Sequence, residues 1–117
     1  MAALNHLHLH VTDLARSQAF YESWFGFRLL TDHGSIRFLR DDAGMDLALA
    51  PSAAVERMPA WFHFGFRLPD AGAVRAMKVK MTGAGVEILR SCDKPDLVCF
   101  RVGDPDGYAI EVYWERP

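Results

Sequence analysis

The sequence contains one internal duplication, and this repeat limits the possible folds more than any other feature. Three pairs of identical residues lie 57 positions apart, and two later pairs lie 63 positions apart. The pairs are His6 and His63, Asp13 and Asp70, Gly26 and Gly83, Asp41 and Asp104, and Gly44 and Gly107. Matching residues at a fixed period indicate that one supersecondary unit occurs twice. The change of period places six additional residues in the second copy, and we expect them in a loop at 91–96.

Each copy has the sequence pattern of one strand, one helix and three further strands. Apolar and polar residues alternate along the predicted strands, as expected where one face of a sheet is buried. These strands are 4–11, 27–30, 36–39 and 45–50 in the first copy, and 61–68, 86–89, 97–102 and 108–114 in the second. Thr12 or Asp13 can cap the first helix and Asp70 the second. Gly26 can end the first helix, and Gly83 and Gly85 the second. The pattern predicts an α+β fold built from two βαβββ modules.

The length of 117 residues is that of a single domain. Within it we expect the first copy over about 1–50 and the second over about 60–117. A linker over 51–59 joins them, because Pro51 and Pro59 interrupt the regular pattern.

Composition and charge exclude several classes of partner. The net charge of −2 gives no reason to expect nucleic acid or an anionic membrane as a partner. No apolar run reaches the ~18 residues that a membrane span needs, and no signal-peptide pattern is present. Cys92 and Cys99 lack CxxC spacing, so neither a disulfide framework nor a thiolate zinc site is indicated. We expect reduced thiols in a cytoplasmic protein.

Three strands each place a potential metal ligand on the face opposite their apolar residues. In the first strand, His6 alternates with leucines, and in the strand at 61–68 His63 alternates with phenylalanines. In the last strand, Glu111 lies between Ile110 and Val112. A buried carboxylate without a partner is costly, so Glu111 in an apolar strand indicates a specific role.

Several short motifs, in this order and within the duplicated frame, resemble the vicinal oxygen chelate superfamily, which includes glyoxalase I, extradiol dioxygenases and bleomycin resistance proteins. The resemblance covers essentially the whole chain. Its motifs are Leu4-Asn5-His6, Val11-Thr12-Asp13-Leu14, Phe20-Tyr21, Gly26-Phe27, the strand with His63, and Asp104-Pro105-Asp106-Gly107 followed by Glu111. It implies curved mixed sheets of two modules around a metal-binding pocket.

The resemblance assigns His6, His63 and Glu111 as the metal ligands. The fourth ligand position of the family corresponds to Ala48, which cannot bind a metal. Two imidazoles and one carboxylate leave open positions that can chelate two oxygens of a substrate. We therefore expect one divalent ion per site, with Fe, Mn, Ni, Co and Zn all compatible with this ligand set.

Five residues are candidates for the reaction itself. His8, or Glu111 when it leaves the metal transiently, would move a proton. Arg101 would bind an anionic group of a small-molecule substrate through its guanidinium fork. Tyr113 and Trp61 share the faces of the ligand residues and would line the site.

The sequence leaves three functions open. The first is a metal-dependent lyase, isomerase or transferase acting on a small, oxygen-rich, anionic molecule. The second is an extradiol-type dioxygenase, although Arg101 stands where those enzymes have a tyrosine. The third is a metal-free binding protein of the bleomycin-resistance type. In each case the resemblance implies a homodimer.

The first strand and helix also resemble the fosfomycin-modifying thiol transferases, at Leu4-Asn5-His6-Leu7 and Gly26-Phe27-Arg28. The resemblance ends later in the chain, and His8 stands where that family has a threonine. The sequence therefore does not indicate a resistance enzyme.

Overall fold

The computed structural model describes all residues, 1–117, which form two compact units. We call Met1–Glu56 module one and Arg57–Pro117 module two. The boundary between them falls within the segment that the sequence pattern marks as a linker.

Module one is a four-stranded mixed sheet with one helix. Its elements are β1 (His6–Val11), α1 (Leu14–Phe25), β2 (Arg28–Asp32), β3 (Arg37–Arg40) and β4 (Asp46–Pro51). The strand order is β1-β4-β3-β2, in which β1 and β4 are parallel and the other pairs are antiparallel. The first strand therefore pairs with the last strand of its own module.

Module two repeats this arrangement. Its elements are β5 (Phe64–Arg67), α2 (Ala71–Gly83), β6 (Ile88–Lys94), β7 (Leu97–Gly103) and β8 (Ala109–Glu115). The strand order β5-β8-β7-β6 has the same parallel first pair and the same antiparallel remainder. The predicted α+β fold class, with a duplicated βαβββ unit, is confirmed.

The predicted helix ends are confirmed as well. Asp13 accepts a hydrogen bond from the backbone N–H of Arg16, and Asp70 accepts one from that of Ala73, so each aspartate caps its helix. Gly26 ends α1 with φ of 70°, a left-handed conformation that glycine adopts without steric cost. Neither helix has the length or the apolar character to span a membrane.

The two faces of the module-two sheet differ in burial. Alternate residues of β7 and β8 are fully or almost fully buried, and α2 packs on these strands through Val74 and Met81. The buried residues of the sheet are Val98, Phe100, Val102, Ile110 and Val112. The residues between them are only partly buried. The helix therefore covers the apolar face and leaves the polar face for a site.

Strand β5 is shorter than the sequence pattern predicts, beginning at Phe64 rather than at residue 61. Its partner β8 begins at Ala109, and the paired register starts at Phe64 and Ile110. In this register residues 61 and 62 face positions before the start of β8, so they have no strand to pair with. They form a turn instead, in which the N–H of Phe62 donates to the carbonyl of Pro59.

The predicted loop at 91–96 is wrong. Strand β6 continues through this segment to Lys94, and a two-residue turn of Pro95 and Asp96 joins it to β7. The additional residues of the second copy therefore lengthen a hairpin, because each new pair adds ladder hydrogen bonds that a loop would lack. The other predicted strands agree with the structure within two residues at each end.

The two aspartates that precede the last strand of each module have the same role. The Asp41 carboxylate accepts hydrogen bonds from the N–H groups of Ala43 and Met45. The Asp104 carboxylate accepts them from Asp106 and Tyr108. In both turns, the aspartate side chain accepts hydrogen bonds from backbone N–H groups a few residues later. The two turns set the starting points of β4 and β8.

Candidate functional site

Glu111 lies at the centre of the polar face of module two. It is directly opposite Arg101 across the β7–β8 pair and directly opposite Gly65 across the β5–β8 pair. Residues that face each other across paired strands project from the same side of the sheet. The strand register therefore brings both neighbours to the Glu111 side chain.

The His63 imidazole is the third group at this position. It belongs to the residue just before β5, and its Nε2 lies 3.7 Å from Oε2 of Glu111. Its Nδ1 lies 3.0 Å from the carbonyl oxygen of Trp61. Because a carbonyl oxygen only accepts hydrogen bonds, Nδ1 carries the hydrogen. In the neutral ring Nε2 then presents its lone pair toward Glu111, as in metal-binding histidines whose other nitrogen donates to a backbone carbonyl.

Arg101 contacts the same carboxylate oxygen. Its Nε lies 3.3 Å from Oε2 of Glu111, and the two side chains are 19% and 23% exposed. The Nη groups of Arg101 have no acceptor within the protein. The guanidinium thus neutralises Glu111 through Nε, and its other N–H groups are of the kind that can donate to an anion.

Gly65 leaves room for this arrangement. A Cβ at this position would lie 3.0 Å from the backbone oxygen of Glu111 and 3.4 Å from its Cβ. The close approach of β5 to β8 at Glu111 therefore depends on the absence of a side chain. A glycine inside a strand is the sequence signal for such an approach, but the pattern of alternating residues alone did not single out Gly65.

The outer part of the same face is formed by Tyr113, Cys99 and Arg67. Tyr113 is directly opposite Cys99 and Arg67 in the strand register. The Arg67 guanidinium carbon lies 5.7 Å from the centre of the Tyr113 ring, within cation–π range. Burial raises the pKa of the Cys99 thiol, and the negative charge of Glu111 contributes in the same direction.

Trp61 lies outside the strand. Its residue is in the turn before β5, and it is 73% exposed, so the predicted sharing of a strand face with His63 is wrong. The contribution of Trp61 that the structure shows is its carbonyl oxygen, which orients His63.

Module one carries the remaining predicted residues on β1. His6 places Nδ1 3.1 Å from Oδ1 of Asn5. If this oxygen accepts from Nδ1, then Nε2 is again the nitrogen with the lone pair. His8 packs edge-to-face against His10, with ring centres 5.3 Å apart. All three histidine residues of the strand are exposed within module one.

The strand pairing of His6 places it directly opposite Asp46. The Asp46 carboxylate is held by Arg40, whose Nε and Nη2 each donate to one of its oxygens. This hydrogen bonding lowers the pKa of Asp46 below its ordinary value. The Asp46 carboxylate is therefore paired with Arg40 within module one.

One pair of facing positions is equivalent in the two modules, but the large and the small residue occupy opposite strands of the pair. In module one His8 on β1 is directly opposite Ala48 on β4. In module two Gly65 on β5 is directly opposite Glu111 on β8. Each pair joins one candidate side chain to one very small residue. The candidate residue is on the first strand in module one and on the last strand in module two.

The donor atoms of module two fit a divalent cation. Two ligands bound at about 2.0–2.2 Å to one ion are separated by roughly 3–4 Å, and the Nε2–Oε2 distance of 3.7 Å lies in this range. Imidazole and carboxylate together suit Fe, Mn, Ni, Co or Zn. The structure contains no group of three or more His, Cys, Asp or Glu side chains that could hold a metal ion.

Comparison with known proteins identifies the family. Residues 3–112 match the model of the glyoxalase/bleomycin resistance protein/dioxygenase superfamily. The chain belongs to this superfamily. The match covers both modules and all the candidate residues except Tyr113.

One curated relative and two solved structures show what this chain is similar to. The metallothiol transferase FosB of Lysinibacillus sphaericus is 32% identical over 116 residues, covering 95% of this chain and 81% of FosB. A structure named as a possible glyoxalase from Bacillus cereus superposes with a TM-score of 0.84 at 26% identity, covering 96% of this chain and 98% of that one. The fosfomycin resistance protein FosX of Listeria monocytogenes, in complex with Mn(II) and sulfate, superposes with a TM-score of 0.85 at 18% identity, covering 99% and 92%.

Proposed function

We propose that this superfamily member is a metal-dependent enzyme acting on a small, oxygen-rich, anionic substrate. One divalent ion would be held by His6, His63 and Glu111. The observation that carries the proposal is the geometry of His63, whose Nδ1 is fixed by a backbone carbonyl while its Nε2 and Oε2 of Glu111 are separated by 3.7 Å. The third ligand, His6, rests on the family resemblance.

The ion, when bound, would act as a Lewis acid that polarises a substrate oxygen. Arg101 would bind an anionic group of the substrate with the Nη donors that the protein does not use. The same guanidinium lies against Oε2 of Glu111, so Arg101 would also hold this carboxylate in place. The binding of the substrate anion and the orientation of the metal ligand Glu111 would then both depend on Arg101.

His8 and Glu111 would transfer protons, and Tyr113 would line the site beside Arg67. The His8 ring is exposed on β1 and contacts His10, so it is free to reach a substrate atom. Trp61 stays a candidate for the rim because of its exposure rather than its place in a strand.

Transferase-type chemistry has the strongest support among the lyase, isomerase and transferase reactions. The named FosB relative is a metallothiol transferase and is 32% identical across 95% of this chain. A FosX structure of the same fold contains Mn(II) and sulfate, a divalent cation together with an anion.

We also propose that the protein forms a homodimer, as the family resemblance implies.

A metal-free binding protein is the second candidate, and one observation favours it. The Arg101 guanidinium already neutralises Glu111 through the oxygen that faces His63. This carboxylate therefore has a cationic partner without a metal ion. Such a site would bind an anionic small molecule and perform no reaction.

Metal titration separates the two candidates. Calorimetry with Mn(II), Ni(II) and Zn(II) on metal-free protein should give one tight site per chain. Glu111→Gln and His63→Ala should weaken binding by more than the roughly 10- to 100-fold typical of supporting residues. Glu115→Gln, on the exposed end of the same strand, is the matched control and should bind normally. Absence of a stoichiometric site in the unaltered protein, with anion binding retained, would instead establish the binding-protein function.

A further inference from the structure

Cys92 and Cys99 are direct cross-strand neighbours in the β6–β7 hairpin. Both thiols are free and both residues are partly buried, so they are accessible to a small reagent. They are the only cysteines of the chain.

The hairpin fixes the distance between these two residues. Residues directly opposite each other in an antiparallel pair have Cα atoms roughly 4.5–5.5 Å apart. Disulfides span Cα separations of about 4.4–6.8 Å. The register is held on one side by the pair of Asp93 with Val98, and on the other by Ser91 with Phe100. A disulfide between Cys92 and Cys99 is therefore within reach without moving the backbone.

Side chains of the helix α2 also hold the register of the β6–β7 hairpin. Arg75 of α2 donates two hydrogen bonds to the Asp93 carboxylate, and Lys78 of α2 donates one to Ser91. These contacts tie β6 to the helix at the residues immediately before and after Cys92. The strand cannot slide without breaking them, so the thiols stay opposite each other.

We propose that Cys92 and Cys99 form a reversible disulfide by reaction with a low-molecular-weight disulfide. One protein thiolate attacks the reagent, forms a mixed disulfide and releases one thiol. The second protein thiolate then attacks the bound sulfur, closes the Cys92–Cys99 bond and releases a second thiol. The two cysteines are oxidised, and the reagent is reduced to two thiols that take up the two protons.

The site of this modification adjoins the candidate metal site without sharing its residues. Cys99 lies on the same face of β7 as Arg101 and opposite Tyr113. Disulfide formation would change the group that faces Tyr113. The proposal does not depend on metal binding, so its test is performed in the presence of a chelator.

The test uses the full chain treated with oxidised glutathione. We expect loss of both thiols per chain, measured after denaturation, and an intact mass reduced by two hydrogen atoms with no adduct. Peptide mapping should show Cys92 joined to Cys99 within one chain, and a dithiol reductant should restore both thiols.

Two variants show whether each thiol resolves the mixed disulfide of the other. Cys92→Ser and Cys99→Ser should each accumulate a stable glutathione adduct on the remaining thiol, because no second thiol is available to displace it. A stable adduct on the unaltered protein, cross-linked chains, or retention of both thiols would each overturn the proposal.

Discussion

Gly65 and Glu111 are directly opposite each other in the parallel β5–β8 pair, and the Glu111 backbone oxygen lies where it would be only 3.0 Å from a Cβ on residue 65. The position of the candidate ligand Glu111 therefore depends on Gly65, which has no side chain. In module one the equivalent pair is His8 and Ala48, so each module keeps one of the two positions small. In both copies of the fold, a candidate side chain therefore faces a small residue on the paired strand.

Replacing Gly65 with alanine should displace Glu111. The new Cβ would press on the Glu111 backbone, and crowding of this kind costs about 1–3 kcal/mol. We expect a lower free energy of unfolding in chemical denaturation and weaker metal binding in calorimetry. Gly103→Ala is the matched control, because a Cβ on that glycine of β7 meets no atom within 4 Å. Equal effects of the two substitutions would show that Gly65 has no special role.

Replacing Arg101 with alanine should separate anion binding from metal binding. The variant loses the guanidinium donors, so affinity for a divalent anion such as sulfate should fall by at least about tenfold, the value of one charge-assisted contact. Metal affinity should fall less than anion affinity, because Arg101 only positions the Glu111 carboxylate, through one 3.3 Å contact to Oε2. Calorimetry measures both.

Two further variants sharpen this result. Arg101→Lys keeps the charge and loses the planar fork, so intermediate anion affinity is expected. Arg75→Ala removes an exposed arginine of α2 that pairs with Asp93 of β6, and it should leave both affinities unchanged. A loss of anion binding in Arg75→Ala as large as in Arg101→Ala would point to general surface charge.

Replacing Asp104 should destabilise the protein more than replacing Asp41. Both carboxylates accept two backbone hydrogen bonds in equivalent turns. Asp104 is only 6% exposed, so its loss leaves donors that water reaches poorly, at a cost of about 1–3 kcal/mol for each buried group left without a partner. Denaturant unfolding of Asp104→Ala and Asp41→Ala compares them directly. A larger effect at Asp41 would contradict the role of burial.

The Arg40–Asp46 pair gives a prediction about pH. Hydrogen bonding to Arg40 lowers the pKa of Asp46 from the ordinary 3.8. Since the folded pKa is the lower one, the pair stabilises the folded state above the ordinary pKa and loses this effect as pH falls through the folded pKa. The stability difference between the unaltered protein and Asp46→Asn should therefore be present at neutral pH and disappear in acid below about 3.8.

This difference should be small, because the pair is at the surface, and added salt should reduce it. Thermal unfolding at several pH values and two salt concentrations provides the measurement. A difference that grows on acidification would have the wrong sign for a carboxylate with a lowered pKa.

The sequence alone determined the architecture. The offsets between His6 and His63 and between Asp41 and Asp104 predicted two copies of one unit, and the structure contains two sheets with the same strand order. Helix caps and turns were predictable because each rests on contacts between residues a few positions apart, such as Asp13 with Arg16. The candidate residue Glu111 was also identifiable, since alternation fixes the face of a strand, and His63 was identifiable although it directly precedes β5.

Only the tertiary structure decided where strands end and which side chains meet. Strand β5 begins at Phe64, where its pairing with Ile110 of β8 begins, and β6 extends to Lys94 because β7 pairs with it. Alternation in one strand carries no information about the length of its partner. For the same reason the contact of Arg101 with Glu111, the room left by Gly65 and the pairing of Cys92 with Cys99 depend on register between distant segments, which the three-dimensional fold sets.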